Sequence, residues 1–201
     1  MTQPKYGPRL IAALTYAAQK HHPQTRKSGP EVDYANDVPY VAHLLAVAAT
    51  VLEAGGDEDA AIAGLLHDLI EDCDVKVEEI ERLFGTEVAR IVDACSEHWD
   101  HKGTKPLWKI RKDAHLVRLD TADSQVLLVT AADKIHNGES IINDSAVVGD
   151  AIWSRFNTTR DQIVWYYESV LAKVLAGLGP DHYATKRLTR VAQDLRQLAQ
   201  L

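Results

Sequence analysis

The stretch Leu65-Leu66-His67-Asp68-Leu69-Ile70-Glu71-Asp72 sets four polar or ionisable side chains inside an otherwise apolar run. Written as a helix, it places His67 and Glu71, and likewise Asp68 and Asp72, one turn apart, with Asp68 and Glu71 also neighbours. The spacing predicts all four on one broad face, with Leu65, Leu66, Leu69 and Ile70 filling the rest. Carboxylates in apolar surroundings are costly unless something compensates them. A divalent cation does so, because it pairs with carboxylates and takes neutral imidazole as a ligand. Taken alone, the stretch also reads as the solvated acidic end of a helix, continued by Asp74. Isolated ligand types on other apolar helices would decide between the two.

Composition bounds the search. With 201 residues, 46% of them hydrophobic and 25% charged, the chain reads as one domain able to bury a substantial core. The formal net charge of −7 argues against a general nucleic-acid surface. A small phosphorylated ligand remains compatible, given a local basic patch or a metal. Cys73 and Cys95, the only cysteines, lie in or beside apolar helical patterns without metal-type spacing. They read as reduced packing residues of a cytosolic protein. The first ten residues do not resemble a signal peptide, and no apolar run approaches a membrane span.

The periodicity is helical from end to end. Leu10 to Lys20 forms a first helix, and residues 24–37 form a polar loop carrying Arg26, Lys27, Ser28, Gly29 and Pro30. Asp37 offers an N-cap and Pro39 a first turn for a nearly all-apolar helix, Tyr40 to Ala54, in which His43 is the exception. Asp57, Glu58 and Asp59 start the helix that carries the opening stretch. Further helices are expected over Val77–Phe84, near Thr86–Ala94, from Thr104–Pro106 to Leu119, over Ser124–Ile142, Ala151–Phe156 and Asp161–Leu175, and over Tyr183–Gln200 after breaks at Gly177, Gly179 and Pro180. With no strand alternation and no repeat, the expectation is a single compact all-α domain over 1–201, its core about 10–175 and its C-terminal helix about 183–200.

Isolated ligand types do recur. His43, the His67-Asp68 pair and Asp133, the last within VLLVTAADKIHN (residues 126–137), stand on three mostly apolar helices. Two imidazoles and two carboxylates suit Mn²⁺, Fe²⁺ or Zn²⁺ and leave room for water. Singly, His43 would read as a core histidine and Asp133 as a cap or ion-pair partner.

This H…HD…D order resembles the HD-domain metal-dependent phosphohydrolases. Three local motifs narrow the likeness: Arg26-Lys27-Ser28-Gly29 with Pro39-Tyr40-Val41-Ala42-His43, then Leu65 to Asp72, then Ala131-Ala132-Asp133-Lys134-Ile135-His136-Asn137. Together they are similar to the hydrolase domain of RelA/SpoT enzymes, and especially to the stand-alone small alarmone hydrolases, over about Leu10 to Leu175. The resemblance implies an HD-type helical hydrolase that uses one Mn²⁺, held by His43, His67, Asp68 and Asp133, with Glu71 and Asp72 as a catalytic pair. It implies removal of the 3′-pyrophosphate of guanosine tetra- or pentaphosphate, or of a related alarmone. Metazoan members also act on the 2′-phosphate of NADPH. Arg26 and Lys27 take the place of a pair near base and phosphates, and Asn137 that of a ribose contact. The chain departs from the pattern in the insert PEVDYANDV between Gly29 and Pro39, in Leu44 after His43, and in Gly138-Glu139, where many relatives carry a basic residue.

Residue chemistry supports part of this independently. A cation lowers the pKa of bound water and offsets charge on phosphoryl oxygen. Glu71 and Asp72 would orient or deprotonate the attacking water, or else brace His67. Arg26 can stack on a purine or fork onto phosphate, and Lys27 adds a point charge, although the loop also reads as simply solvated. Lys134 faces either phosphate or solvent. Lys105, Lys109, Arg111 and Lys112 read mostly as a solvated face, with one of them in a position to reach the substrate tail. His136 reads as structural, His98, His101 and His115 as surface or packing residues, and Trp153, Phe156, Trp165 and Tyr166 as core. The alternatives are another phosphohydrolase on the same site, such as an NADPH 2′-phosphatase or a nucleotidase, and a non-enzymatic nucleotide-binding module. The expected partner is a small phosphorylated nucleotide in the cytoplasm, with no nucleic acid or membrane, and a monomer or homodimer.

Overall fold

The computed structural model describes residues 6–26, 38–97 and 106–200. Along the chain run α1 (Pro8–Lys20), α2 (Val41–Glu53), α3 (Glu58–Leu66), α4 (Leu69–Asp72), α5 (Val77–Phe84), α6 (Thr86–Cys95), α7 (Trp108–Leu119), α8 (Ser124–Val148), a 3₁₀ segment (Gly149–Arg155), α9 (Arg160–Leu178) and α10 (Tyr183–Ala199). The protein is therefore all-α, one compact helical domain. Its one β-type contact among the described residues is an isolated bridge between Thr25 and Pro39. No helix among the described residues is long and apolar enough to cross a membrane.

The centre is the packing of α2, α3 and α8, the three most apolar segments of the sequence. Leu44, Val47 and Val51 of α2 meet the fully buried Ile62 and Leu66 of α3 and Val129 and Ala132 of α8 in one core. Gly64 brings α2 and α3 close, since a Cβ there would sit 3.4 Å from the Ala48 Cα. Asp57 caps α3, its Oδ1 accepting from Ala60 N–H at 2.9 Å. Around this centre, α1 packs on α3, α6 on α3 and α8, and α9 and α10 on α8.

Several boundaries differ from the sequence expectation for local reasons. Asp37, the expected N-cap, lies outside the described residues, and α2 starts only after Tyr40. Gln24 O accepts from Tyr40 N–H and Val38 O from Arg26 N–H, both at 3.0 Å, so the chain on either side of 27–37 is tied together ahead of the helix. α7 begins at Trp108 because Leu107 is extended, with ψ 145°. α8 runs past Ile142 to Val148, and the expected helix over 151–156 is the 3₁₀ segment. Gly177 does not break α9: it sits inside the helix where a Cβ would overlap Leu127, and the helix ends at Gly179 with φ +82°.

The C-terminal helix packs within the domain. α10 lies on α8, α9 and α2, and Val191 and Leu195 fill the space left by Gly138. A Cβ at Gly138 would overlap Val191 and approach Tyr167 to 2.9 Å. Gly138→Ala should therefore destabilise the protein by roughly 1–3 kcal/mol from overpacking, against a helix-propensity gain of about 1 kcal/mol. A urea-denaturation midpoint unchanged or raised by the substitution would contradict this packing.

Candidate metal centre and active site

The helix expected across the opening stretch is interrupted at its centre. α3 ends at Leu66, His67 and Asp68 form a turn, and α4 restarts at Leu69. The His67 side chain explains where the ladder stops. Its Nδ1–H donates to Gly64 O at 2.9 Å, the carbonyl that a continuous helix would offer to Asp68 N–H. Asp68 adopts φ −96°, ψ 0°, and its own carbonyl then accepts from Asp72 N–H at 2.9 Å to start α4. The four side chains consequently do not share one face. His67 and Asp68 turn inward, Glu71 lines the pocket, and Asp72 is exposed and accepts from Gln24 Nε2 at 2.8 Å.

Around this turn, α2, α8 and the α3–α4 junction bring His43, His67, Asp68 and Asp133 together. His43 Nε2 lies 3.3 Å from His67 Nε2 and 3.3 Å from Asp133 Oδ1. His67 Nε2 lies 3.0 Å from Asp68 Oδ2 and 3.7 Å from Asp133 Oδ1. His43, His67 and Asp133 form a group able to hold a metal ion. Separations of this size are what ligand atoms about 2.1 Å from a common centre require. The donor set also fits. Because Nδ1 of His67 is committed to Gly64 O, its Nε2 is the atom aimed at the carboxylates, holding a proton there until a cation replaces it. Asp68 and Asp133 outweigh the burial that would lower His67, so its pKa is raised well above the usual range. Both carboxyls are held well below theirs. Positive charge is what this cluster favours.

A second layer holds the four groups. Tyr40 Oη donates to Asp68 Oδ2 at 2.5 Å, and Asn137 Nδ2 donates to Asp133 Oδ1. His43 Nδ1 lies 2.8 Å from His136 Nδ1. Burial first, and then the charges of His43 and Arg26, lower His136 to about 4, so that ring is neutral. Its Nδ1 also faces Arg26 Nη1 at 3.4 Å, an obligate donor. His136 Nδ1 is thus the acceptor, His43 donates to it, and His43 Nε2 is left free for a cation. Arg26 further donates through Nη2 to Asn137 Oδ1 at 3.1 Å and to Ser140 Oγ at 3.4 Å. Arg26 thereby reaches the second-layer partners of both His43 and Asp133.

The pocket, about 120 Å³, continues from these groups to Glu71, Glu97, Lys112, His115, Lys134 and Tyr166. Glu71 Oε1 accepts from Glu97 N–H at 2.6 Å. Burial and the neighbouring Asp68 charge push the Glu71 carboxyl up to about 7, against partial relief from Glu97 N–H and Lys112. Glu97 itself would be raised by burial, but Lys112 and Arg111 clamp it and hold it at about 2. Lys134 pairs with Asp133 Oδ2 at 2.6 Å.

Of the residues singled out in the sequence, His43, His67, Asp68, Asp133, Glu71, Asn137, Lys134 and Arg26 converge here, while Asp72 stands at the rim. Lys27, Lys105, His98, His101 and residues 30–37 of the insert lie outside the described residues. Lys109 is partly exposed, pairing with Asp113 with its Nζ 4.0 Å from the Trp165 ring centroid, but Arg111 and Lys112 turn inward, contrary to the expectation of a mostly solvated face. Helical spacing carried that signal, since Lys112 shares a face with the buried Leu116 and Leu119. Tyr40 and Glu97 had no comparable signal. Glu139 does not face the pocket: its carboxylate accepts from Arg187 of α10 at 2.8 Å. Both cysteines are free thiols.

An all-helical domain whose turn-borne His-Asp pair meets a histidine and an aspartate from two other helices defines a class, and this chain belongs to the HD-domain family, whose profile matches residues 13–163. Among particular relatives it is 33% identical over 158 residues to the Drosophila melanogaster guanosine-3′,5′-bis(diphosphate) 3′-pyrophosphohydrolase MESH1, covering 78% of this chain and 80% of that one. It is 36% identical over 129 residues to a probable guanosine-3′,5′-bis(diphosphate) 3′-pyrophosphohydrolase of Synechocystis, covering 64% of this chain. The chain spans only 16% of that longer relative. Among solved structures, a metazoan SpoT orthologue described as hydrolysing ppGpp superposes over the whole of both chains with TM-score 0.74 and 27% identity. A Listeria monocytogenes protein aligns with TM-score 0.67 and 28% identity, covering 79% of this chain and 99% of that one.

Glu71 makes a stability prediction with a definite sign. Its pKa is raised from 4.5 to about 7, so the folded state holds the proton more tightly than the unfolded state. The resulting contribution is fully present below about 4.5 and is lost as pH rises through about 7. Glu71→Gln keeps the acceptor for Glu97 N–H and removes the buried charge. At pH 8 the metal-free variant should be more stable than wild type by about 1–2 kcal/mol, allowing for partial solvent access, and near parity at pH 4.5. Denaturation curves with the same difference at both pH values would refute this placement of Glu71.

Proposed function

We propose that the chain is a metal-dependent nucleotide 3′-pyrophosphohydrolase acting on guanosine tetra- or pentaphosphate or a related purine alarmone. The observation that carries the reading is that His67, Asp68, Asp133 and Glu71 line one pocket, with His43 against its floor, 3.3 Å from Asp133 and 3.6 Å from Asp68. The activities named for the relatives support it. The mixed N/O set of two imidazoles and two carboxylates suits Mn²⁺, Fe²⁺ or Zn²⁺, and the resemblance to the alarmone hydrolases favours Mn²⁺ among them. When bound, the ion supplies Lewis acidity toward phosphoryl oxygen and makes water a better acid.

The chain's own residues do the rest. Glu71, buried and with its proton affinity brought near neutrality, accepts the proton of the attacking water. Glu97 N–H keeps its carboxylate oriented. The water oxygen bonds to the phosphorus joined to the 3′ oxygen as that ester O–P bond breaks; the 3′ oxygen leaves and takes up a proton to become the ribose hydroxyl, and pyrophosphate is released. Asp72, at the rim and held by Gln24, helps admit and orient water. Arg26 and Lys27 meet the base and phosphates, Asn137 the ribose and Lys134 phosphate. The ligand is a small nucleotide rather than a nucleic acid, and the setting is cytoplasmic.

The test is a panel of phosphorylated nucleotides assayed with Mn²⁺ for pyrophosphate and orthophosphate release. Guanosine 3′-pyrophosphates should yield pyrophosphate, and a chelator should stop the reaction until Mn²⁺ is restored. His67→Ala should abolish turnover, and Glu71→Gln should lower kcat by about 10²–10⁴-fold. Mn²⁺-loaded protein that leaves every purine 3′-pyrophosphate intact would defeat the assignment. Orthophosphate release from 2′-phosphates alone would make it a nucleotide phosphatase instead.

A further inference from the structure

The far end of the pocket carries more positive charge than its own carboxylates balance. Among the described residues there, Glu97 is paired with two cations, Arg111 and Lys112, and the remaining positive charge is offset only in part by Glu71, whose carboxyl is pushed up to about 7. The Arg111 and Lys112 side chains are largely buried, 15% and 17% exposed, so solvent does little to screen that excess. Lys134, 15% exposed, adds a second ammonium to the same pocket wall. Its partner Asp133 directs Oδ1 toward the two histidines and only Oδ2 toward Lys134. The two ammonium groups stand 4.8 and 5.5 Å from the centroid of one ring, Tyr166, and so face the same space. Tyr166 is fixed in turn, its Oη 3.0 Å from His115 Nδ1. His115 registers the local field, lowered to about 3 by burial first and then by Lys134, Lys112 and Arg118. Like charges concentrated in a partly buried wall are costly unless an anion joins them.

We propose that the Lys112–Lys134 wall is the subsite for the distal phosphate of the pyrophosphate group, and that it selects pyrophosphate over monophosphate. This rests on the proposed function. The scissile phosphorus lies by the His-Asp cluster and Glu71, and the next phosphate projects away from the nucleoside toward Tyr166. There Lys112 exchanges part of its contact with Glu97 for a phosphate oxygen, while Arg111 keeps Glu97 neutralised. Lys134 reaches the same phosphate from α8. A 2′- or 3′-monophosphate has no group to place there and gains nothing from either lysine. Lys112 is thus a specificity residue, and no bond is made or broken at it.

The experiment is calorimetric titration of Mn²⁺-loaded protein with manganese pyrophosphate and, separately, with orthophosphate. Wild type should bind pyrophosphate at least about tenfold more tightly than orthophosphate. Lys112→Met, which keeps the length of the side chain, should weaken pyrophosphate about 10- to 100-fold, the value of one charge-assisted contact, and orthophosphate less than about threefold. Lys112→Arg should recover most of the loss, and Lys186→Met, on the exposed face of α10, should change neither. Equal losses for both anions, or unchanged pyrophosphate binding, would overturn the subsite. If Lys112→Met fails to fold, Lys112→Gln and the wild-type ratio decide, parity of the two anions refuting the proposal. Turnover keeps the two readings apart. Protein that prefers pyrophosphate through Lys112 but cleaves no nucleoside 3′-pyrophosphate would retain the subsite and lose the proposed reaction.

Discussion

Two imidazole nitrogens and two carboxylates held 3.0–3.7 Å apart inside an apolar bundle set the terms for the rest of the molecule. Such a group is tolerable only if its positive partner is supplied and every remaining lone pair is engaged. The local structure meets the second demand. His67 gives its other nitrogen to Gly64 O, which stops α3, and His43 gives its own to His136. Tyr40 and Asn137 each donate to one aspartate. The interruption between α3 and α4 therefore follows from the ligand itself. The imidazole takes the carbonyl that the next residue's N–H would have used.

The pocket is divided by charge, and Glu97 joins its halves. Its backbone N–H meets the carboxylate of Glu71 on the acidic side. Its side chain collects Arg111 and Lys112 on the basic side. One residue after Ser96, which ends α6, thus connects Glu71 to the cations of α7. Because α7 packs chiefly on α9, Arg111 and Lys112 are placed from outside the α2–α3–α8 centre, whereas Lys134 comes from α8 itself, next to Asp133.

That division decides what was legible in the sequence. His43, Asp133 and the His67-Asp68 pair stood out because each is a polar interruption in an apolar run, and the helices that carry them are long or strongly apolar. The break at His67 was hidden, since eight residues read equally well as a continuous helix and as two pieces joined by a turn. Lys112 was obscured by its neighbours. Among Lys109, Arg111 and Lys112 the eye sees a charged run, although Lys109 and Lys112 both keep register with Leu116 and Leu119. Tyr40 and Glu97 act through contacts with residues 28 and 26 positions away, which no local pattern encodes.

The pair Gly138-Glu139 shows how a departure from a family pattern can mislead when it is read in one dimension. Successive helical residues point about 100° apart, so Asn137 faces the pocket while Gly138 and Glu139 face elsewhere. Gly138 makes room for Val191, and Glu139 pairs with Arg187, both from α10. Arg187 also reaches Thr50 and Glu53 of α2, so the pair fastens the C-terminal helix to two walls of the core. The position at which the family resemblance leads one to expect a basic residue serves here as a structural contact. Its absence does not weaken the case for an anionic substrate, because the cations that line the pocket come from α8 at Lys134 and from α7 at Lys112.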